Sequence, residues 1–214
     1  MFSPAYIMFG LIFTLQYCSS ACTAANSSAL IVGQAITGGE KLISSNSKFA
    51  LGFFQTGASK SSSNSRLPNW YLGIWFHKIP KFTPVGIANR DKPIAELSFN
   101  VSKLKFSKEG NLVIINNVTK SIIWSTETVN RIKTSSDITA VLSNNGNLVI
   151  QDASNPSIVI VWWQSFEHPT DVFLPGAKIG RSKVTGREYK IVLKKNLVDP
   201  APGLYCMELD PTGA

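Results

Sequence analysis

The chain has little of what metalloenzymes and disulfide-bonded scaffolds depend on. Of 214 residues only two are histidine and three are cysteine, and charged residues make up 16%. Cys18 and Cys22 lie in or beside an apolar leader and are expected to leave with it, so Cys206 stands alone. A disulfide framework therefore cannot be what organises the fold. Cys206 is either a free or intermolecularly bridged thiol or, more plainly, a small buried hydrophobe. One mature cysteine and two distant histidines, His77 and His168, give no metal-ligand spacing, and nothing suggests a cofactor. His168 precedes Pro169, with Ser165 and Asp171 nearby, yet this matches neither a nucleophile elbow nor an ordered catalytic triad. Gly-rich phosphate loops, His-Arg-Asp runs and Asp-Phe-Gly runs are absent as well. No catalytic residue is assigned, and the chain is read as a non-enzyme. Beyond the leader no apolar run approaches the roughly 18 residues of a membrane span.

What is present begins with that leader. Phe2 to Leu15 is apolar, and small residues follow from Cys18 to Ala25, which reads as a signal peptide over 1–25, cut near Ala24 or Ala25. The leader places the chain outside the cell and gives meaning to three Asn-x-Ser/Thr sequons, at Asn26, Asn100 and Asn117. Ser59 to Ser65 reads as a flexible polar surface loop. The net charge of +8 is concentrated in Lys178, Arg181, Lys183, Arg187, Lys190, Lys194 and Lys195, opposed locally by Glu188. For a secreted chain nucleic acid is excluded as a partner. The cluster is a solvated face or a contact for an acidic polymer or protein.

The organising stretch is Ala140 to Asp152, AVLSNNGNLVIQD, two strand-favouring runs around Asn145-Gly146. Asn-Gly between such runs predicts a hairpin closed by a type I′ turn. The pattern recurs in Leu104 to Asn116, LKFSKEGNLVIIN, and more weakly in Leu42 to Phe54. A tryptophan strand follows each copy, carrying Trp75, Trp124 and Trp162-Trp163 in turn. A single hairpin is marginal in water, so three such units are expected to bury their apolar faces together, with Trp75, Trp124 and one of Trp162 or Trp163 at a shared centre.

Several motifs together carry a family resemblance: Tyr71-Leu72-Gly73-Ile74-Trp75, Ala88-Asn89-Arg90-Asp91-Lys92-Pro93-Ile94, the two Gly-Asn-Leu-Val runs, and Trp163-Gln164-Ser165-Phe166-Glu167-His168-Pro169-Thr170-Asp171. The chain resembles the bulb-type (G-type) lectin module, in particular the copy at the N-terminus of plant S-domain receptor-like kinases. The resemblance implies an all-β fold, a type II β-prism of three antiparallel sheets with pseudo-threefold symmetry, closed by the Trp162-Trp163 strand. It implies a lectin domain over 26–175 and the start of a following ectodomain segment over 176–214. The chain is then either a piece of a longer receptor or a secreted lectin-only form, located in the apoplast or, within a longer chain, as a plasma-membrane ectodomain. The family carries a tryptophan two residues before Ala88-Asn89-Arg90, where this chain has Gly86. Either Phe76 and Phe82 repack that gap or the fold is only marginally stable.

The resemblance also implies mannose contacts from a Gln-x-Asp-x-Asn-x-Val-x-Tyr motif. The matching positions are Ser107, Glu109, Asn111, Val113 and Ile115 in the second copy, and Ser143, Asn145, Asn147, Val149 and Gln151 in the third. In the first copy they are Ser44, Asn46, Lys48, Ala50 and Gly52. Only the Asn and Val persist, in two copies, and both also have a plain structural use: Asn completes a turn and Val fills core. The expected function is a non-enzymatic extracellular recognition domain with eroded sugar sites, whose partners are glycoproteins or receptor ectodomains. The alternative is a working lectin for mannose-type glycans. Secreted protein is expected to begin near residue 25 and to carry glycan on Asn117, which lies in a polar link between strands. Intact mass before and after deglycosylation checks this, and retention of Met1 to Leu15 counts against it.

Overall fold

A computed structural model describes residues 27–56, 68–128, 138–152, 154 and 159–210; the leader over 1–25, Asn26 and the polar loop at 59–65 lie outside these. Three short strands open the described chain: β1 (Ala29–Ile31), β2 (Ala35–Thr37) and β3 (Lys41–Ile43). Next come β4 (Phe49–Thr56), β5 (Asn69–Phe76), β6 (Pro84–Ile87) and β7 (Ile94–Ala95). After a single helical turn, α1 (Glu96–Phe99), follow β8 (Ser102–Phe106), β9 (Leu112–Asn116) and β10 (Ile122–Ser125). The last group of the main body is β11 (Ile138–Leu142), β12 (Leu148–Asp152) and β13 (Ile160–Gln164).

These strands form three antiparallel sheets with one common plan. Their orders are β3-β4-β5-β6, with β7 beside β5; β2-β8-β9-β10; and β1-β11-β12-β13. The opening segment thus gives one strand to each sheet. The registers make the threefold relation explicit. Across the sheets run the rows Leu42–Leu51–Ile74–Gly86, Ile36–Leu104–Ile114–Trp124 and Leu30–Ala140–Ile150–Trp163. Period-two alternation turns each row to one face of its sheet. Apart from Gly86, every residue of these rows belongs to or packs against one hydrophobic core. The fold is an all-β prism, as the resemblance implied.

This register corrects several expectations. The first repeat is β4–β5–β6 rather than the Leu42–Phe54 hairpin, so position 86, not 75, corresponds to Trp124 and Trp163. Trp75 lies on the opposite face, against Phe54 and Phe82. Its neighbour Ile74 points into the core, and strand alternation sends the two apart. Trp124 and Trp163 do meet, edge to face with centroids 6.2 Å apart. The Trp162-Trp163 strand pairs with β12 within its own repeat, and the strands that come from outside the repeats are β1, β2 and β3. Nor do Phe76 and Phe82 fill the space at Gly86. Phe76 packs on Phe49, and Phe82 lies on the outer face, 47% exposed. Cys206 is exposed rather than buried.

The hairpin turn differs too. Ser143 N–H donates to Asn147 O and Gly146 N–H to Ser143 O, and within this loop only Gly146 has positive φ, +88°. This is an ordinary turn followed by a left-handed glycine bulge, the arrangement of a three-residue loop, not a type I′ turn. Ser107, Gly110 and Asn111 repeat the geometry.

Beyond the prism, β14 (Gly180–Arg181) pairs with β15 (Glu188–Tyr189), and β16 (Ile191–Lys194) with β17 (Pro202–Met207). Buried Arg90 holds the second of these hairpins, donating through Nε to Pro200 O (2.7 Å) and through Nη1 to Val192 O (2.8 Å). Lys194 adds a 2.8 Å ion pair to Asp171.

Gly73 holds the place that Val113 and Val149 hold in the other sheets. A Cβ there would lie 2.6 Å from Phe54 Cε1 and 2.8 Å from Gly86 O. Gly73→Ala is expected to lower stability by about 1–3 kcal/mol through overpacking. Urea unfolding measures this, and an unchanged midpoint would show the contact to be unimportant.

Candidate functional site on the outer faces of the sheets

Alternation that turns Leu112 and Ile114 inward sends Asn111, Val113 and Ile115 outward, and likewise Asn147, Val149 and Gln151. Each candidate set therefore runs from a hairpin turn onto the outer face of one sheet. Val113 and Val149 are buried with the hydrophobic residues, although they lie outside the contiguous core clusters. Val113 is flanked by Lys105 and Ser125, and Ile115 by Lys103 and Ile122. Val149 is flanked by Val141 and Gln164, and Gln151 by Thr139 and Val161. The second face is thus basic and the third neutral and polar.

The two asparagines are both engaged internally. Asn111 Oδ1 accepts from Thr128 N (2.6 Å), Thr128 Oγ1 (2.6 Å) and Thr126 Oγ1 (3.3 Å). Asn147 Oδ1 accepts from Ser165 Oγ and Phe166 N, both at 3.1 Å, while its Nδ2 donates to Gln164 Oε1 at 2.9 Å. Both residues are buried. Exposed Glu109 has its pKa lowered, first by a hydrogen bond from Ser107 and only weakly by Lys105 and Lys108. Asn145 is exposed, and its Oδ1 accepts from Asn147 N.

The first-copy positions lie elsewhere. Ser44, Ala50 and Gly52 are buried, and Asn46 bonds to the third hairpin turn through Asn144. By register the outward residues of the first sheet are Tyr71, Gly73 and Trp75 on β5. Sequence reading missed this because the first sheet has Tyr71 and Gly73 where the other two have Asn and Val.

Three further groups emerge only in space. The N–H groups of Leu72, Leu112 and Leu148 donate to Asn89 Oδ1, Thr126 Oγ1 and Ser165 Oγ. The shared Trp-Ser-Thr and Trp-Gln-Ser spacing was the available signal for two of them. Beside the third sheet, Thr126, Thr128, Trp162, Glu167, His168 and Arg187 line a cleft of about 210 Å³. Arg187 Nη2 approaches His168 Nε2 at 2.9 Å, and the imidazole stacks on Trp163. Asp171 pairs with Lys194, not with His168, so Ser165, His168 and Asp171 form no relay. Of the basic cluster, Lys178 and Arg187 both reach Glu167. Burial opposes ionisation of Glu167, yet hydrogen bonds from Lys178 and Gln164 and the two cations outweigh it and lower the pKa. Asn100 and Asn117 are both exposed.

Three antiparallel sheets around a shared core, two of them with sugar-motif positions on the outer face, define a β-prism of the lectin class. Residues 83–195 match the D-mannose binding lectin family, and the chain belongs to that family. It is 35% identical to a G-type lectin S-receptor-like serine/threonine-protein kinase of Arabidopsis thaliana, over 84% of this chain and 20% of that protein. It is 38% identical to an S-locus-specific glycoprotein of Brassica oleracea, over 82% of this chain and 37% of that one. The chain thus spans about a fifth to a third of the length of these relatives. A monomeric mannose-binding lectin of Gastrodia elata aligns at 19% identity with a TM-score of 0.42, covering 65% of this chain and 96% of that one. No helix among the described residues is long and apolar enough to cross a membrane.

The cleft has a pH signature. Burial, reinforced by Arg187, lowers the His168 pKa from 6.5 to about 4. Between these values the unfolded chain holds a proton that the folded chain does not. Its contribution to stability is therefore full above pH 6.5 and is lost as pH falls toward 4. The ring is partly exposed, so solvent screening reduces the effect. Replacing His168 with Gln is expected to flatten the decline in melting temperature across that window. Parallel scans of both proteins from pH 7 to pH 4 would expose a coincident decline, which would exclude His168 as its source.

Proposed function

We propose that this chain is a non-enzymatic extracellular recognition domain in which the mannose sites of the family have eroded, and that it reads a protein or glycoprotein surface. The observation that carries the proposal is the internal use of Asn111 and Asn147 together with the residues around them. The polar positions that would frame a sugar hold Ser107 and Ile115 in one copy, and Ser143 and Gln151 in the other. A single sugar at about millimolar affinity corresponds to roughly −4 kcal/mol. Each net hydrogen bond contributes about 0.5–1.5 kcal/mol, so losing three is comparable with the whole affinity. What remains for recognition is a rigid prism carrying loops and a basic, ion-paired edge, a common arrangement for binding. The domain assignment is 26–175 for the lectin module and 176–214 for the beginning of a following segment. Its place is the apoplast, or the outer face of the plasma membrane within a longer receptor.

A second reading, a working glycan-binding site, is favoured by the third sheet alone. There Val149 is bordered by Gln151 and Gln164, with Thr139 directly opposite Gln151. A mannose column and calorimetry separate the two readings, comparing wild type with the triple variant Ser143→Gln, Asn145→Asp and Gln151→Tyr. The expected result is retention of the triple variant only. Retention of the wild type would refute erosion and establish the second reading.

A further inference from the structure

The rows that build the prism end in Trp124, Trp163 and Gly86, and the missing third indole leaves a space. A partly open cavity of about 130 Å³ lies there, lined by Gly86 together with Leu72, Ile74, Trp124, Leu148 and Trp163, and also by Ser165 and His168. A Cβ built on Gly86 meets nothing nearer than Ile74 Cδ1, at 4.0 Å, so the glycine is not required by crowding. Its φ is not among the positive values, so the backbone does not require it either. The aromatic residues on hand do not reach the space, since Phe76 and Phe82 pack elsewhere.

The geometry points to a ligand site at Gly86 for a small planar aromatic molecule of the indole class. The lining is mostly apolar, and an apolar cavity of about 150 Å³ is known to accept benzene. A flat ring is the shape that fits, because the sister positions on the other two sheets hold indoles within the same core. Two walls of the space are themselves indoles, set 77° apart, which leaves a ring edge and a ring face for a third aromatic to meet. Its lining is chiefly inward-facing, with Leu72, Ile74 and Leu148, while Gly73, Ser165 and His168 border both this space and the outer surface. Its test reads indole binding and does not depend on sugar binding.

The test is differential scanning calorimetry of the purified protein with and without indole, on wild type and on Gly86→Trp. At a tenfold excess over the dissociation constant, indole is expected to raise the wild-type melting temperature by about 3–6 °C. Gly86→Trp without ligand is expected to melt above wild type and to respond no further to indole. If the full indole overfills the cavity and that variant fails to fold, Gly86→Phe takes its place and is read in the same way. No response from the wild type overturns the proposal. So does an equal response from the filled variant, which would put the bound indole elsewhere.

Discussion

Everything in this structure depends on a constraint of strand geometry: each sheet has one face to bury, and three sheets must bury theirs against each other at once. Strand alternation supplies the faces, and register supplies the match between sheets. The result is the set of parallel rows in which Ile74, Ile114 and Ile150 occupy equivalent places. Closing the assembly needs more than the three repeats. Left to themselves, β4, β8 and β11 would each expose an edge, which is a template for unwanted pairing. The opening strands β3, β2 and β1 cover those edges in turn. Residues 29–43 therefore join all three sheets, and the pairing of Ala29 with Val141 spans nearly the whole prism. Contacts so distant in sequence carry a large loop-closure entropy and form late.

The same geometry explains what the sequence could and could not reveal. The second and third repeats were legible because each combines alternation, a glycine at the one left-handed position, and a Trp two residues before a hydroxyl. The first repeat was misread by one strand. Its tryptophan position holds Gly86, and Trp75 on the opposite face of β5 is a convincing substitute to a reader without register. The opening strands are three residues each, too short to show any period. They are strands because the sheets they complete require an edge partner, a tertiary fact. The turn type was misjudged for a similar reason. Asn-Gly suits two kinds of hairpin, and the choice rests on whether Ser143 pairs across to Asn147.

Separation of the two faces also frees function from fold. A substitution at Ile115 or Gln151 alters the outer face while the row behind it stays intact. A substitution at Gly86 does the reverse, opening the interior while the outer face is unchanged. The inward rows and the outward positions lie on alternate residues of the same strands and are under different demands.

The motif residues that look most like a functional signature are explained by hydrogen-bond satisfaction. Leu112 and Leu148 begin their strands beside a turn, and Leu72 lies in β5 just past the end of its pairing with β6, so at each place a buried N–H would lack a ladder partner. Leaving such a group unpaired costs about 1–3 kcal/mol, and the threefold plan would incur that three times. Asn89, Thr126 and Ser165 each supply the missing acceptor. Asn89 does more, its Nδ2 donating to Trp70 O and Lys92 O and so fixing the chain as it leaves β6. Next in sequence, Arg90 is thereby aimed at the carbonyls of Val192 and Pro200. The Ala88-Asn89-Arg90 run is thus a joint between the prism and the hairpin that follows it, and its side chains are committed before any ligand arrives. The groups that the joint leaves free are those of the outer faces and the loops.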